Sequence, residues 1–193
     1  MLGQSQVEGV RCADGTEISA DMLIVGVGVV PNVELAQASG LRCDNGICVD
    51  AEARTSDSLI VAAGDCTWHP NGHYGHSLRL ESVHNAVEQA KAAAATVCGN
   101  SKPYNQVPWF WSDQYDLKLQ IAGLTTGYDD SVVRGDTDAR SFSVFYLRDG
   151  RLIASDNVNS PQNFMATRKL LAEGVTPSTE QLADPDFALK SLL

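Results

Sequence analysis

The chain has 193 residues, 24 acidic against 14 basic side chains, and a formal net charge of −10. That length allows one large or two small domains, and the charge disfavours nonspecific binding to nucleic acid. No apolar run is long enough to span a bilayer, and residues 1–10 lack the basic and apolar regions of a signal peptide, so a cytoplasmic location is expected.

Cysteine usage agrees with that location. Cys12, Cys43, Cys48, Cys66 and Cys98 are odd in number and form no Cys-x-x-Cys pair. Free thiols in a reducing compartment are the expected state.

Residues 7–20 read as a hairpin turned by Asp14-Gly15. Residues 22–25 read as a buried strand. Gly26 and Gly28 then invite a close backbone approach, and Pro31 ends the regularity. The third glycine of a dinucleotide fingerprint would fall on Pro31, which excludes a pyrophosphate site here. Residues 33–39 make a short helix with Gly40 behind it, and residues 47–50 a short strand after the Asn45-Gly46 turn.

Residues 59–63, Leu-Ile-Val-Ala-Ala, are an apolar run that suits a parallel strand covered on both faces. Gly64 permits close approach of backbone or ligand. Asp65 then stands at the carboxyl end of the strand, where ligands bind in open α/β sheets. A carboxylate there accepts hydrogen bonds from sugar hydroxyls. The same residues fit equally a buried strand whose aspartate merely starts a turn.

Residues 67–77 form a polar stretch with His69, His73 and His76. It holds no carboxylate or thiolate, so these are expected as solvent-exposed loop histidines rather than metal ligands. Residues 81–98 give the clearest helix, with Val83, Val87, Ala90, Ala94 and Val97 on one apolar stripe. Gly99 closes it. Residues 101–107 look like a linker.

Beyond it the pattern changes. Trp109, Phe110 and Trp111 suit a strand, with the two tryptophans on one face. Strands are expected over residues 117–122, 131–134, 141–147 and 151–158, as an antiparallel meander. Ser160-Pro161 opens a helix that Gly174 ends, and residues 186–192 close the chain as a last short helix.

Three stretches carry a resemblance. The octet Leu59-Ile-Val-Ala-Ala-Gly-Asp-Cys66 resembles the second FAD fingerprint of the pyridine nucleotide-disulfide oxidoreductase superfamily. Arg79-Leu-Glu-Ser-Val-His-Asn-Ala-Val-Glu-Gln-Ala-Lys91 and Pro108-Trp-Phe-Trp-Ser-Asp-Gln-Tyr115 follow it. Together they resemble the ferredoxin reductases of oxygenase systems, of the putidaredoxin reductase type. The resemblance implies FAD binding through Gly64 and Asp65, with Asp65 on the ribityl hydroxyls. It places Glu81, Ser82 and Val83 beside the flavin, where a helix amino terminus would favour negative charge on its pyrimidine edge. Trp111 becomes the flavin-side aromatic. No metal ligand and no catalytic residue is assigned.

The implied activity passes electrons from NADH through FAD to a 2Fe–2S ferredoxin serving an oxygenase. The implied fold is α/β and then α+β. Residues 1–30 end a NAD-binding domain, and residues 31–104 are the carboxy-terminal segment of a Rossmann-like FAD domain. Residues 105–193 form a reductase C-terminal domain with an antiparallel sheet and two helices. The family uses two Gly-x-Gly-x-x-Gly turns and this sequence contains none. The expectation is therefore a carboxy-terminal half, inactive alone and prone to self-association. Three alternatives stay open: a stand-alone docking module, a half-enzyme assembling with a separate amino-terminal chain, and a rubredoxin or nitrite reductase relative.

Overall fold

Asp14 and Gly15 turn the chain between β1 (Gly9–Arg11) and β2 (Glu17–Ser19), which pair antiparallel as expected. Gly15 takes φ +88°, open to glycine at little cost. The structure, a computed structural model, describes residues 1–193. This hairpin belongs to the smaller of two units, Met1–Val30; the larger is Pro31–Leu193.

The buried strand expected over residues 22–25 does not form. Those residues join no sheet, and Ile24 is 87% exposed. An apolar parallel strand needs hydrogen-bonded neighbours and cover on both faces, and this chain pairs no strand with it. No protein atom comes within 4 Å of a Cβ built on Gly26 or Gly28.

In the larger unit, α1 (Glu34–Ala38) leads to β3 (Cys43–Asp44) and β4 (Gly46–Cys48). The expected strand over residues 59–63 is also absent. Leu59 is 92% exposed, and only Val61 makes an isolated bridge, to Arg54. The run meets only residues 53–55, antiparallel, through the Thr55 amide to the Ile60 carbonyl and the Ala62 amide to the Ala53 carbonyl, so the parallel pairing its composition suits does not form.

The polar stretch after it is no loop. β5 (Thr67–Asn71) pairs parallel with β4 and antiparallel with β6 (His76–Leu78), giving sheet order β3-β4-β5-β6. Thr67, His69 and Asn71 alternate inward, so the period of a strand is present but carried by polar residues. Pro70 is tolerated because the ladder to β4 stops at Trp68. His69 is therefore buried, contrary to expectation, while His73 and His76 are exposed.

The expected long helix forms as α2 (Val83–Val97), but with its faces reversed. The buried residues are Asn85, Gln89, Ala92 and Ala93, and the stripe of Val83, Val87 and Val97 is exposed. Main-chain partners satisfy the polar face: Asn85 Nδ2 donates to the Leu80 carbonyl at 3.1 Å. Tyr104, in the segment expected as a linker, is buried and donates its hydroxyl to Asn85 Oδ1 at 2.9 Å.

The expected antiparallel strands form, but not as one meander: the strand over residues 117–123 pairs with the strand over residues 151–158 and not with the next strand in sequence. β7 (Trp109–Gln114), β8 (Leu117–Gly123), β9 (Asp130–Asp136), β10 (Ser141–Arg148) and β11 (Arg151–Val158) make one sheet. Its order is β7-β8-β11-β10-β9, antiparallel throughout. α3 (Pro161–Glu173) packs on it with Pro161 at its start and Gly174 left-handed at its end. Ser160 occupies the N-cap position, yet its hydroxyl caps no main-chain amide and instead accepts from Asn163 Nδ2. α4 (Thr179–Ala183) was not expected; the Ser178-x-x-Gln181 capping box starts it. The last helix is only a 3₁₀ turn, Leu189–Leu192. Phe145, Leu147, Leu152, Ala166, Leu170, Leu182 and Leu189 form the core between sheet and helices.

Candidate functional site

The site is built where the Gly64–Asp65 turn meets the start of α2. Gly64 is buried at φ +91°, and a Cβ there would touch the Ala86 Cβ at 3.7 Å. Its amide donates to Gln89 Oε1 at 2.7 Å. Asp65, the next residue, is exposed. A carboxylate thus reaches solvent from a firmly held base.

Arg79 joins this turn to the helix. Its guanidinium donates to the Asp65 carbonyl at 3.4 Å and to Glu81 Oε1 at 2.5 Å. Its Nε reaches Asn45 Oδ1 at 3.3 Å, so the β3–β4 turn is tied in as well. Glu81 lies one residue ahead of the N-cap, not within the first turn as the sequence suggested. Its place is set by Arg79 and not by the helix dipole.

Ser82 is the N-cap, and its hydroxyl accepts from the Asn85 amide at 3.1 Å. That leaves the amides of Val83 and His84, at the first two helical positions, without an intrahelical acceptor. They carry the positive end of the α2 dipole. The Val83 side chain points outward.

An aromatic row runs from this helix end to the five-stranded sheet. The His84 and Trp109 rings are 5.2 Å apart, and the Trp109 and Trp111 rings 5.5 Å. The two tryptophans share a face, as the strand period required. Phe164 meets Trp109 edge-on at 5.7 Å, and the Arg168 guanidinium lies 4.7 Å from the Trp109 ring centre. Trp111 ends the row 47% exposed. Burial first, and then the Arg168 charge, hold the His84 imidazole below its usual pKa. His84 Nδ1 and Trp109 Nε1 are buried without hydrogen-bond partners.

Asp65 and Glu81 are therefore linked through Arg79, Gly64 is held by Gln89, Ser82 caps α2, and Trp111 is linked to α2 through Trp109 and His84. Sequence reasoning did not assign site roles to Arg79, His84, Gln89 or Arg168. Arg79 and Gln89 were inside the stretch that carried the resemblance; nothing in periodicity marks Arg168. The chemistry suits one end of a flavin dinucleotide: an exposed carboxylate for sugar hydroxyls, free amides for an electronegative edge, and an indole face for an aromatic ring. No glycine-rich turn faces a pyrophosphate.

Comparisons with known proteins bear on the family and the fold. Residues 2–90 match the family model "Pyridine nucleotide-disulphide oxidoreductase", and residues 109–193 match "Reductase C-terminal". Rhodocoxin reductase of Rhodococcus erythropolis is 50% identical over 182 residues, which is 94% of this chain and 43% of that protein. A ferredoxin reductase structure from Rhodopseudomonas palustris superposes with TM-score 0.93 at 45% identity, covering 99% of this chain and 47% of that one. The reductase of the covalent putidaredoxin reductase–putidaredoxin complex superposes with TM-score 0.89 at 43% identity, covering 96% and 44%.

The fold class is part of a Rossmann-like FAD domain followed by an antiparallel five-stranded sheet with helices, the reductase C-terminal domain. The chain belongs to the pyridine nucleotide-disulphide oxidoreductase family and, within it, to the ferredoxin reductases of oxygenase systems, of the putidaredoxin reductase type. It spans just under half the length of these relatives. No helix is long and apolar enough to cross a membrane.

Proposed function

We propose that this chain supplies the flavin-side part of an NADH-dependent ferredoxin reductase. The observation that carries the proposal is the Arg79 bridge, which ties the main chain of the exposed Asp65 to Glu81, just ahead of the start of α2. FAD, when bound, supplies hydride acceptance from NADH and release of single electrons. Asp65 accepts hydrogen bonds from the ribityl hydroxyls. The amides of Val83 and His84 favour negative charge at the edge they face. Trp111 covers the flavin from water and stands toward a 2Fe–2S ferredoxin, the class of partner implied by the putidaredoxin complex of a 43% identical relative. Residues 1–30, 31–104 and 105–193 then serve as the end of a NAD domain, the end of an FAD domain and the C-terminal domain.

The chain by itself lacks any Gly-x-Gly-x-x-Gly turn for the FAD pyrophosphate or for NADH. We therefore assign it no NADH oxidation of its own. Its exposed apolar side chains, Ile24, Val27, Leu59 and Val97 among them, support self-association when it is alone.

The test is a fusion of residues 1–193 behind the amino-terminal part of rhodocoxin reductase that this chain does not match. The fusion is expected to hold FAD and to reduce a 2Fe–2S ferredoxin with NADH. Trp111→Ala should slow ferredoxin reduction several-fold more than NADH-to-ferricyanide turnover. Equal losses in both would point to a collapsed domain, and rubredoxin as the preferred acceptor would favour the rubredoxin reductase alternative.

A further inference from the structure

We infer that Gln89 is a positioning residue that holds the Gly64–Asp65 turn and, through it, the ribityl end of a bound FAD; the second half of this rests on the function proposed above. Gly64 turns with φ +91°, and its amide faces inward to a buried position. A buried amide without an acceptor is costly. Its acceptor is Gln89 Oε1, at 2.7 Å. Gln89 is itself 1% exposed, so water does not substitute for it.

Thr67 completes the arrangement. Its hydroxyl lies 2.8 Å from the same Gln89 oxygen and 2.9 Å from the Gly64 carbonyl, and its one proton serves either. The Thr67 amide donates to that carbonyl at 3.0 Å. Both main-chain polar groups of Gly64 are thereby met, one by Gln89 and one by Thr67. The Gln89 oxygen is committed to the protein, which excludes direct contact between that oxygen and a ligand.

Gln89 stands seven residues after the N-cap Ser82 and so on the same face of α2. One helix thus fixes both the turn that presents Asp65 and the amides at its own start. Nothing in apolar periodicity could flag this, because the residue is polar and its partner is main chain.

The experiment measures amide hydrogen exchange in the chain of residues 1–193. Gln89→Leu removes the acceptor at similar volume, and Gln89→Glu keeps one. Gln89→Leu should speed exchange at Gly64 about ten-fold or more while β10 and β11 are unchanged. Gln89→Glu should stay much closer to the unsubstituted chain. Unchanged exchange at Gly64, or equal acceleration throughout α2 and the five-stranded sheet, would overturn the inference. Should Gln89→Leu not fold, Gln89→Asn withdraws the oxygen by one methylene and is read the same way.

In the fusion protein, Gln89→Leu should weaken FAD binding about ten-fold, and its combination with Asp65→Ala should cost less than the sum. Additive losses would overturn the coupling to Asp65. A fusion that holds no FAD would refute the proposed function, while exchange at Gly64 would still decide the role of Gln89 in the turn.

Discussion

Asp65 and His69 are four residues apart and sit in opposite environments. Asp65 projects to solvent from a buried glycine, so its carboxylate is free to accept bonds from a ligand. Asp65→Ala in the fusion should cost roughly 1.5–3 kcal/mol of FAD binding, the range for hydrogen bonds to a charged group. That is about a ten- to hundred-fold rise in Kd, read by flavin fluorescence. His69 is buried on the inner face of β5, edge-on to Tyr104, with neither ring nitrogen hydrogen-bonded. Burial pushes its pKa down to about 4. The unfolded chain titrates it near 6.5. Between those values the unfolded state binds the proton and the folded state does not. Stability conferred by neutral His69 is therefore complete above pH of about 6.5 and falls as pH drops toward 4, by roughly 3 kcal/mol. His69→Phe should lose visibly less stability than the unsubstituted chain between pH 7 and 4.5, measured by urea melts. An identical pH slope would refute the assignment.

At the scale of elements, the C-terminal segment is held by Leu182 and Leu189 in the core and by the hydrogen bonds of one buried cation. Arg134 of β9 is buried and donates to the carbonyls of Gln181, Pro185 and Phe187 at 3.2, 3.1 and 2.7 Å. Arg134→Met should destabilise by about 2–3 kcal/mol, through loss of charged bonds and orphaned carbonyls. The check is a lower Tm, with proteolysis beginning beyond residue 178. The antiparallel strands and the Trp109–Trp111 face were legible because alternation and turn pairs are local signals, whereas the pairing of β8 with β11 rather than β9, and the N-cap at Ser82 rather than a helix beginning at Glu81, were not. The inward face of α2 was not. Asn85 and Gln89 are buried by virtue of their main-chain and tyrosine partners, and hydropathy cannot see a satisfied amide. β5 was missed for the same reason, its inner residues being Thr67, His69 and Asn71. Residues 22–25 and 59–63 misled in the other direction. Their composition suits parallel strands, but such a strand exists only with a parallel neighbour to pair with.

At the scale of the molecule, the organisation is asymmetric. The five-stranded sheet, its helices and their core are complete within residues 109–193. The region before it contributes a four-stranded sheet, the Gly64–Asp65 turn and α2, together with apolar side chains left in solvent. The proposed site offers groups only for the flavin and ribityl end of FAD, and the sequence contains no Gly-x-Gly-x-x-Gly turn for a pyrophosphate. The most direct measurement mixes the purified chain with excess FAD, NADH and ferricyanide or a 2Fe–2S ferredoxin and follows absorbance. The account predicts no NADH oxidation above the free-flavin background by the chain alone, and turnover by the fusion with the rhodocoxin reductase amino-terminal part. Turnover by the chain alone at a flavoprotein reductase rate would contradict it.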